Sequence, residues 1–342
     1  MIYPISIAAT GMVTAVGFNS TASCAAIRAG ISNLNETNLW DAESGKFLPA
    51  GRVLLPHWWI GLGKLAELVA PAIYECCNAA LPVPATDIPV LLGVSSPDRP
   101  FRFARLDQDI LSEIEQRLGF KLHPCSKVIP RDHVSAVVGL REAQRLISTS
   151  QAPCCIVAGV DSLVQQDVLR HYLAQDRILT SVNPTGFLPG EAGSAILVKS
   201  ASRSEPGELE ILGTGIGLEK ATIESDQPLC GSGLAEAIGE AFNESGCTLD
   251  DVQYRITDLN GEHYKFKELV FAMMRYLSKP KPKLFDLWHP IEYIGDVGAA
   301  IGPIVLAVAL HASQNDYGPG PTALCTFGND DGERASAVVR FH

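Results

Sequence analysis

The side chains able to do covalent or metal chemistry in this 342-residue chain are, first, nine cysteines and eight histidines. A thiol attacks or ligates as its thiolate, which needs a positive neighbour or a helix N-terminus. The cysteines stand at 24, 76, 77, 125, 154, 155, 230, 247 and 325, mostly inside apolar runs, where a free Cys behaves as a small buried hydrophobe. Their number is odd and none forms CxxC; the histidines include neither HxxxH nor HExxH. Neither a disulfide framework nor a metal centre is expected. Two glycine-rich stretches complete the inventory. Gly213-Thr214-Gly215-Ile216-Gly217 contains G-x-G-x-G, but Leu218-Glu219-Lys220 follows where a nucleotide fingerprint needs a further Gly and an opening helix. It reads as a strand end or bulge, and no cofactor is expected. Gly186 to Ala195, GFLPGEAGSA, reads as a tight turn feeding an apolar strand, with Glu191 buried.

Composition sets the frame for these residues. Hydrophobic residues make up 46% and charged residues 19%, enough for a core and without a disorder signature. A net charge of −11 argues against nucleic acid and against a polybasic membrane anchor. No Lys or Arg precedes Arg28, so the uncharged stretch Met1–Phe18 lacks the positive region of a signal peptide. The longest apolar run, Val297 to Leu310, is 14 residues, short of the ~20 that cross a bilayer. A soluble, non-exported, cytoplasmic protein is expected.

The elements that must position any site alternate between short β-branched runs and longer amphipathic stretches. Strands are predicted over 5–9, 88–94, 127–129, 154–160 and 195–198, with helices over 20–29, 59–80, 105–118 and 133–147. Ser200–Gly207, SASRSEPG, is polar with Pro and Gly and reads as a joint. Beyond it, strands over 208–215, 252–258, 283–285, 322–327 and 335–340 alternate with helices over 229–245, 262–276 and 298–312. The chain is thus expected to divide into halves 1–205 and 206–342, each an α/β unit. Lys279-Pro280-Lys281-Pro282-Lys283 reads as a stiff basic loop, and Trp58-Trp59 and Trp288-His289-Pro290 as core or dimer anchors.

Six stretches, in order, resemble the β-ketoacyl synthases of the thiolase superfamily: ISIAATGMVTAVG (5–17), CCIVAGVDSL (154–163), GFLPGEAGSAILV (186–198), GTGIGL (213–218), GDVGAAIGP (295–303) and FGNDDGERASAVV (327–339). The resemblance implies a thiolase-like fold, two βαβαβαββ halves in five layers (αβαβα). It also implies a homodimer pairing its sheets through the CCIVAGV strand. Such a synthase carries a nucleophilic Cys at a buried helix N-terminus and two catalytic His. At the matching positions this chain has His133, in PRDHVS; Asn260, in LNGE; and Asp296, in GDVGAA.

Those replacements argue against Claisen condensation. No thiolate remains for an acyl-enzyme. An ionised Asp296 would face a developing enolate, and two like charges ~4 Å apart at an effective dielectric of 20 repel by about 4 kcal/mol, roughly a thousandfold in rate. The resemblance gathers His133, Asn260, Glu262 and Asp296 into one pocket. A His at a helix N-terminus is expected to be neutral at pH 7, while an adjacent carboxylate pulls the other way. Two functions follow as expectations. One is a non-condensing accessory or scaffold dimer. The other is an acyltransferase or thioester hydrolase in which His133 and Asp296 act as base on water or Ser135 and Asn260 stabilises an oxyanion. LNGEHY (259–264) and GDVGAA also resemble a ketosynthase-like subgroup encoded with type VI secretion effector-loading genes. Partners implied are a second copy, acyl-CoA or acyl carrier protein, and a secretion effector or adaptor.

Overall fold

The computed structural model describes residues 3–57, 59–201, 206–277 and 286–342. Trp58, the KPKPK loop, the strand predicted over 283–285 and residues 202–205 of the predicted joint lie outside the described residues.

The strands are β1 (Ile5–Val13), β2 (Leu34–Asp41), β3 (Lys46–Gly51), β4 (Val90–Gly93), β5 (Lys127–Ile129), β6 (Cys154–Ser162), β7 (Glu191–Ser200), β8 (Leu209–Leu218), β9 (Tyr254–Thr257), β10 (Asp286–Trp288), β11 (Thr322–Gly328) and β12 (Glu333–Phe341). The helices are α1 (Ser20–Arg28), α2 (Gly61–Ala79), α3 (Leu106–Leu118), α4 (Ser135–Ser148), α5 (Gln166–Ala174), α6 (Ser232–Ser245), α7 (His263–Met274), α8 (Ile291–Ile294) and α9 (Ile301–Gln314). The sheet order is β10-β9-β11-β12-β8-β1-β7-β6-β4-β5. Reading outward from the β1/β8 seam and counting only main-sheet strands, each side runs first, fifth, fourth, second, third in its own chain order. The seam itself is only Ile5–Ile7 against Leu209–Ile211, antiparallel.

Helices α4 and α9 touch strands of both sides, so they form the middle layer. Helix α2, with α3 against it, covers one outer face, and α6, with α7, covers the other. The five layers match the thiolase-like fold expected. Helix α9 shows why: Ile301 to Leu310 are all buried, the pattern of a helix surrounded by protein on every side. No helix among the described residues is long and apolar enough to cross a membrane.

Two details depart from the sequence reading. Strand β6 is paired on both edges, by β4 and β7, so the CCIVAGV strand has no edge left for a partner; the outer strand on that side is β5. Hairpin β2–β3 and helix α5 were not expected, because LNETNLWD is polar, KFLPAG holds a proline, and QDVLRHYLA is only nine residues. The G-x-G-x-G stretch fills the C-terminal half of β8 and stops one residue before its end. A Cβ at Gly215 would sit 1.8 Å from the Ala237 carbonyl oxygen, and one at Gly217 2.1 Å from that of Gly233. The glycines let α6 lie on the β8 backbone, and the register shift opposite Val338/Val339 falls beside them.

Candidate functional site

His133 lies in a single turn, Asp132–Val134, that joins β5 to α4; the helix proper begins only at Ser135. The closing loop holds this turn. Asn329 donates from its amide to the Arg131 carbonyl (2.9 Å) and accepts from the Val134 N–H (3.3 Å). Asp132 takes a left-handed backbone, φ 50°, a conformation that Asp tolerates better than most residues.

Asp296 reaches His133 because its loop is stitched to the GFLPG turn. Its N–H donates to the Leu188 carbonyl (2.6 Å), and its own carbonyl accepts from Gly190 N–H (2.7 Å). Asp296 Oδ1 is 3.0 Å from His133 Nε2 and accepts from Gly298 N–H at 3.1 Å. Gly298 must be glycine on two counts, φ +51° and a Cβ that would fall 2.1 Å from Asp161 Oδ2. On its other side His133 Nδ1 is 3.0 Å from Asp132 Oδ1. That approach lacks the direction of a hydrogen bond, so it is a charge contact, and both atoms stay without a hydrogen-bond partner.

The electrostatics correct the expectation of a neutral His133. Burial disfavours its charge, but the Asp296 carboxylate, seconded by Asp132, prevails over burial and over Lys265 and pushes the pKa up to about 10. Asp296 shows the converse. Burial pushes it up, yet the His133 charge, then Lys265 and the Asn260 amide, hold it well below the usual carboxylate range. At neutral pH the pair is imidazolium and carboxylate.

The remaining groups are committed to each other. Asn260 Nδ2 donates to Asp296 Oδ2 (2.8 Å) and to Glu262 Oε2 (3.1 Å), so its two amide protons have carboxylate partners. Glu262 takes a two-pronged bond from Arg177 (2.7 and 3.0 Å), and Arg177 forks again onto Asp330 (2.8 and 3.0 Å). The same guanidinium lies over the rings of Tyr172 and Phe187, 5.0 and 5.7 Å from their centroids. Arg99 grips Asp161 and sits 3.7 Å from Asp132 Oδ2. Lys265 Nζ lies 3.3 Å from Asp258 Oδ2.

His133, Asn260, Glu262 and Asp296 thus meet as the sequence reading required. Ser135 does not join them. Its hydroxyl donates to the Ile129 carbonyl (3.0 Å) and accepts from Arg131 N–H (3.2 Å), which employs it in the turn. The space left among these groups is about 20 Å³, room for about one water. Sequence reasoning missed Arg99, Asp161, Arg177, Lys265 and Asp330. One signal was present: Asp161 ends a continuous apolar strand run, where a buried carboxylate must have a cation.

The cysteines supply no nucleophile in the core. Burial pushes Cys24, Cys155 and Cys325 each up to about 12, so they stay thiols. Among the described residues no group of three His, Cys, Asp or Glu could hold a metal ion. Glu191 is fully buried, as expected, and accepts from Val53 N–H (3.1 Å), Ser162 Oγ (2.7 Å) and Lys64 (2.6 Å). Trp288 packs on Tyr254 and Tyr317 in the core, whereas Trp59 is 37% exposed with Arg117 over its ring.

No protein-family model and no curated protein matches this sequence. Solved structures do. A type II polyketide ketosynthase structure that includes its acyl carrier protein superposes with a TM-score of 0.81 at 13% identity, covering 100% of both chains. A ketosynthase–chain length factor complex from Xenorhabdus doucetiae gives 0.78 at 15% identity, covering 99% of this chain and 98% of that one. The ishigamide ketosynthase/chain length factor gives 0.69 at 19%, covering 99% of each. This chain has the thiolase-like ketosynthase fold.

Proposed function

We propose that this chain is a non-condensing member of the ketosynthase fold, an accessory or scaffold protein whose catalytic positions have become an ion-pair lock. The observation that carries the reading is His133 held 3.0 Å from both the Asp132 and Asp296 carboxylates, which push its pKa up, at the position where the resemblance puts the nucleophile. A protonated imidazole takes no proton from water or from Ser135, so the acyltransferase or hydrolase alternative loses its first step. Asn260, with its amide protons on Asp296 and Glu262, has none for an oxyanion. A residual space of about 20 Å³ admits no acyl chain.

Function then passes to surfaces. Strand β5 pairs only with β4 in the main sheet and supports a homodimer through its outer edge. The comparison structures hold an acyl carrier protein or a chain length factor beside a ketosynthase, which favours a protein partner here as well. LNGEHY and GDVGAA support a cytoplasmic place in type VI effector delivery, with an effector or adaptor as that partner. The division of the chain at 205/206 belongs to the same proposal. Intact-mass spectrometry after incubation with a panel of acyl-CoA and acyl-carrier thioesters tests the central part. Wild type and His133→Ala are expected to show no adduct and no thioester loss above buffer. A His133-dependent adduct or turnover would overturn it.

A further inference from the structure

A second hollow of about 660 Å³ lies beside helix α2 and shares no lining residue with the His133 cluster. That volume is in the range of small-molecule sites. Its walls come from β2, the segment after β3, the start of α2, Phe103 ahead of α3, and the stretch from the end of β6 into α5. Leu54, Leu55, Ile60, Phe103 and Leu169 make it apolar. Leu54 and Ile60 are 65% and 73% exposed, large apolar side chains left at the rim. The polar groups are unevenly matched. Lys64 is spent on the buried carboxylate of Glu191. Arg52 also lines the hollow, and among the described residues it makes no ion pair and no side-chain hydrogen bond. No acidic residue lines the space. In a chain of net charge −11, an apolar hollow with one unpartnered guanidinium is a local exception.

We infer that this hollow binds an amphipathic monocarboxylic acid, its apolar body along Leu54, Ile60 and Phe103 and its carboxylate on Arg52. A planar guanidinium matches a carboxylate with two parallel hydrogen bonds. A single free cation suits a monoanion better than a phosphate dianion. The site stands independently of the reading of His133, since neither borrows a residue from the other.

The probe is dansyl-undecanoate, with its methyl ester as the uncharged control, followed by dansyl fluorescence on the full chain. Saturable one-to-one binding with a blue-shifted emission is expected. The ester and Arg52→Ala should each bind roughly tenfold more weakly, the worth of a charge-assisted contact. Val164→Trp, which places an indole in the hollow, should abolish binding while the far-ultraviolet circular dichroism stays that of wild type. Absence of saturable binding would overturn the inference. So would binding that Arg52→Ala and the ester leave unchanged, or binding that survives Val164→Trp in the folded variant.

Discussion

The hollow at His133 and the hollow beside α2 differ in how their charges are matched. Around His133, four cations (His133, Arg99, Arg177 and Lys265) are interlocked with Asp132, Asp161, Asp258, Glu262, Asp296 and Asp330, and about 20 Å³ of space is left. Beside α2, about 660 Å³ is lined by apolar and neutral polar side chains, His57, Lys64 paired to Glu191, and Arg52, which has no ion-pair partner among the described residues. Buried charges that satisfy one another stabilise a fold poorly per pair, but removing one member strands the others at high cost. The first hollow therefore has the make-up of structure, although ordered sequence motifs point to its residues. The second is the proposed binding site, although no motif marks it.

Each prediction presses on that difference, the largest effect first. Asp296→Ala leaves the His133 imidazolium and the Asn260 amide short of a partner, and it should cost about 3–5 kcal/mol of unfolding free energy by urea titration. A loss under about 1 kcal/mol would mean that the cluster is not locked. Next comes the pH dependence. His133 is held above its unfolded value of about 6.5, so its contribution is complete below that pH and fades as pH rises through about 10. Asp296 is held below its ordinary value, so its share is present above about pH 4 and is lost as pH falls. Wild-type stability should fall by a few kcal/mol from pH 6.5 to 10, and His133→Gln should flatten that fall. Equal slopes in the two proteins would count against the ion pair. Gly215→Ala, far from both hollows, drives a methyl group into the Ala237 carbonyl and should cost about 1–3 kcal/mol. It calibrates the cluster against plain packing. Arg52→Ala should move stability by less than about 0.5 kcal/mol, since it breaks no ion pair and no side-chain hydrogen bond among the described residues. A larger loss would make Arg52 structural and the second hollow less of a receptor.

Much of the fold was legible because its long elements obey simple periodicities. Helix α2, strand β5 and the all-apolar helix α9 fall within a few residues of where pattern and stop signals put them. Hairpin β2–β3 escaped because its burial is partial and its alternation is broken by a proline. The site was half legible. Ordered motifs brought His133, Asn260, Glu262 and Asp296 together, yet the charge of His133 came out opposite to the expectation from a helix N-terminus. The reason is local. A one-turn helix precedes α4, so His133 sits before the dipole rather than on it, and two carboxylates at 3.0 Å outweigh the field. Arg177 was invisible because its partners, Glu262 and Asp330, lie 85 and 153 residues away in sequence. The hollow beside α2 has no sequence signature, since it is shaped by several separate segments and the space between them.

The claim that the His133 cluster is an ion-pair lock is met most directly by nitrogen and proton NMR of the His133 imidazole, assigned by comparison with His133→Gln. Both ring nitrogens should remain protonated from pH 6 to pH 9, with no midpoint near 6.5. A midpoint between pH 6 and 7 would leave a neutral imidazole at physiological pH, restore His133 as a general base, and contradict the account.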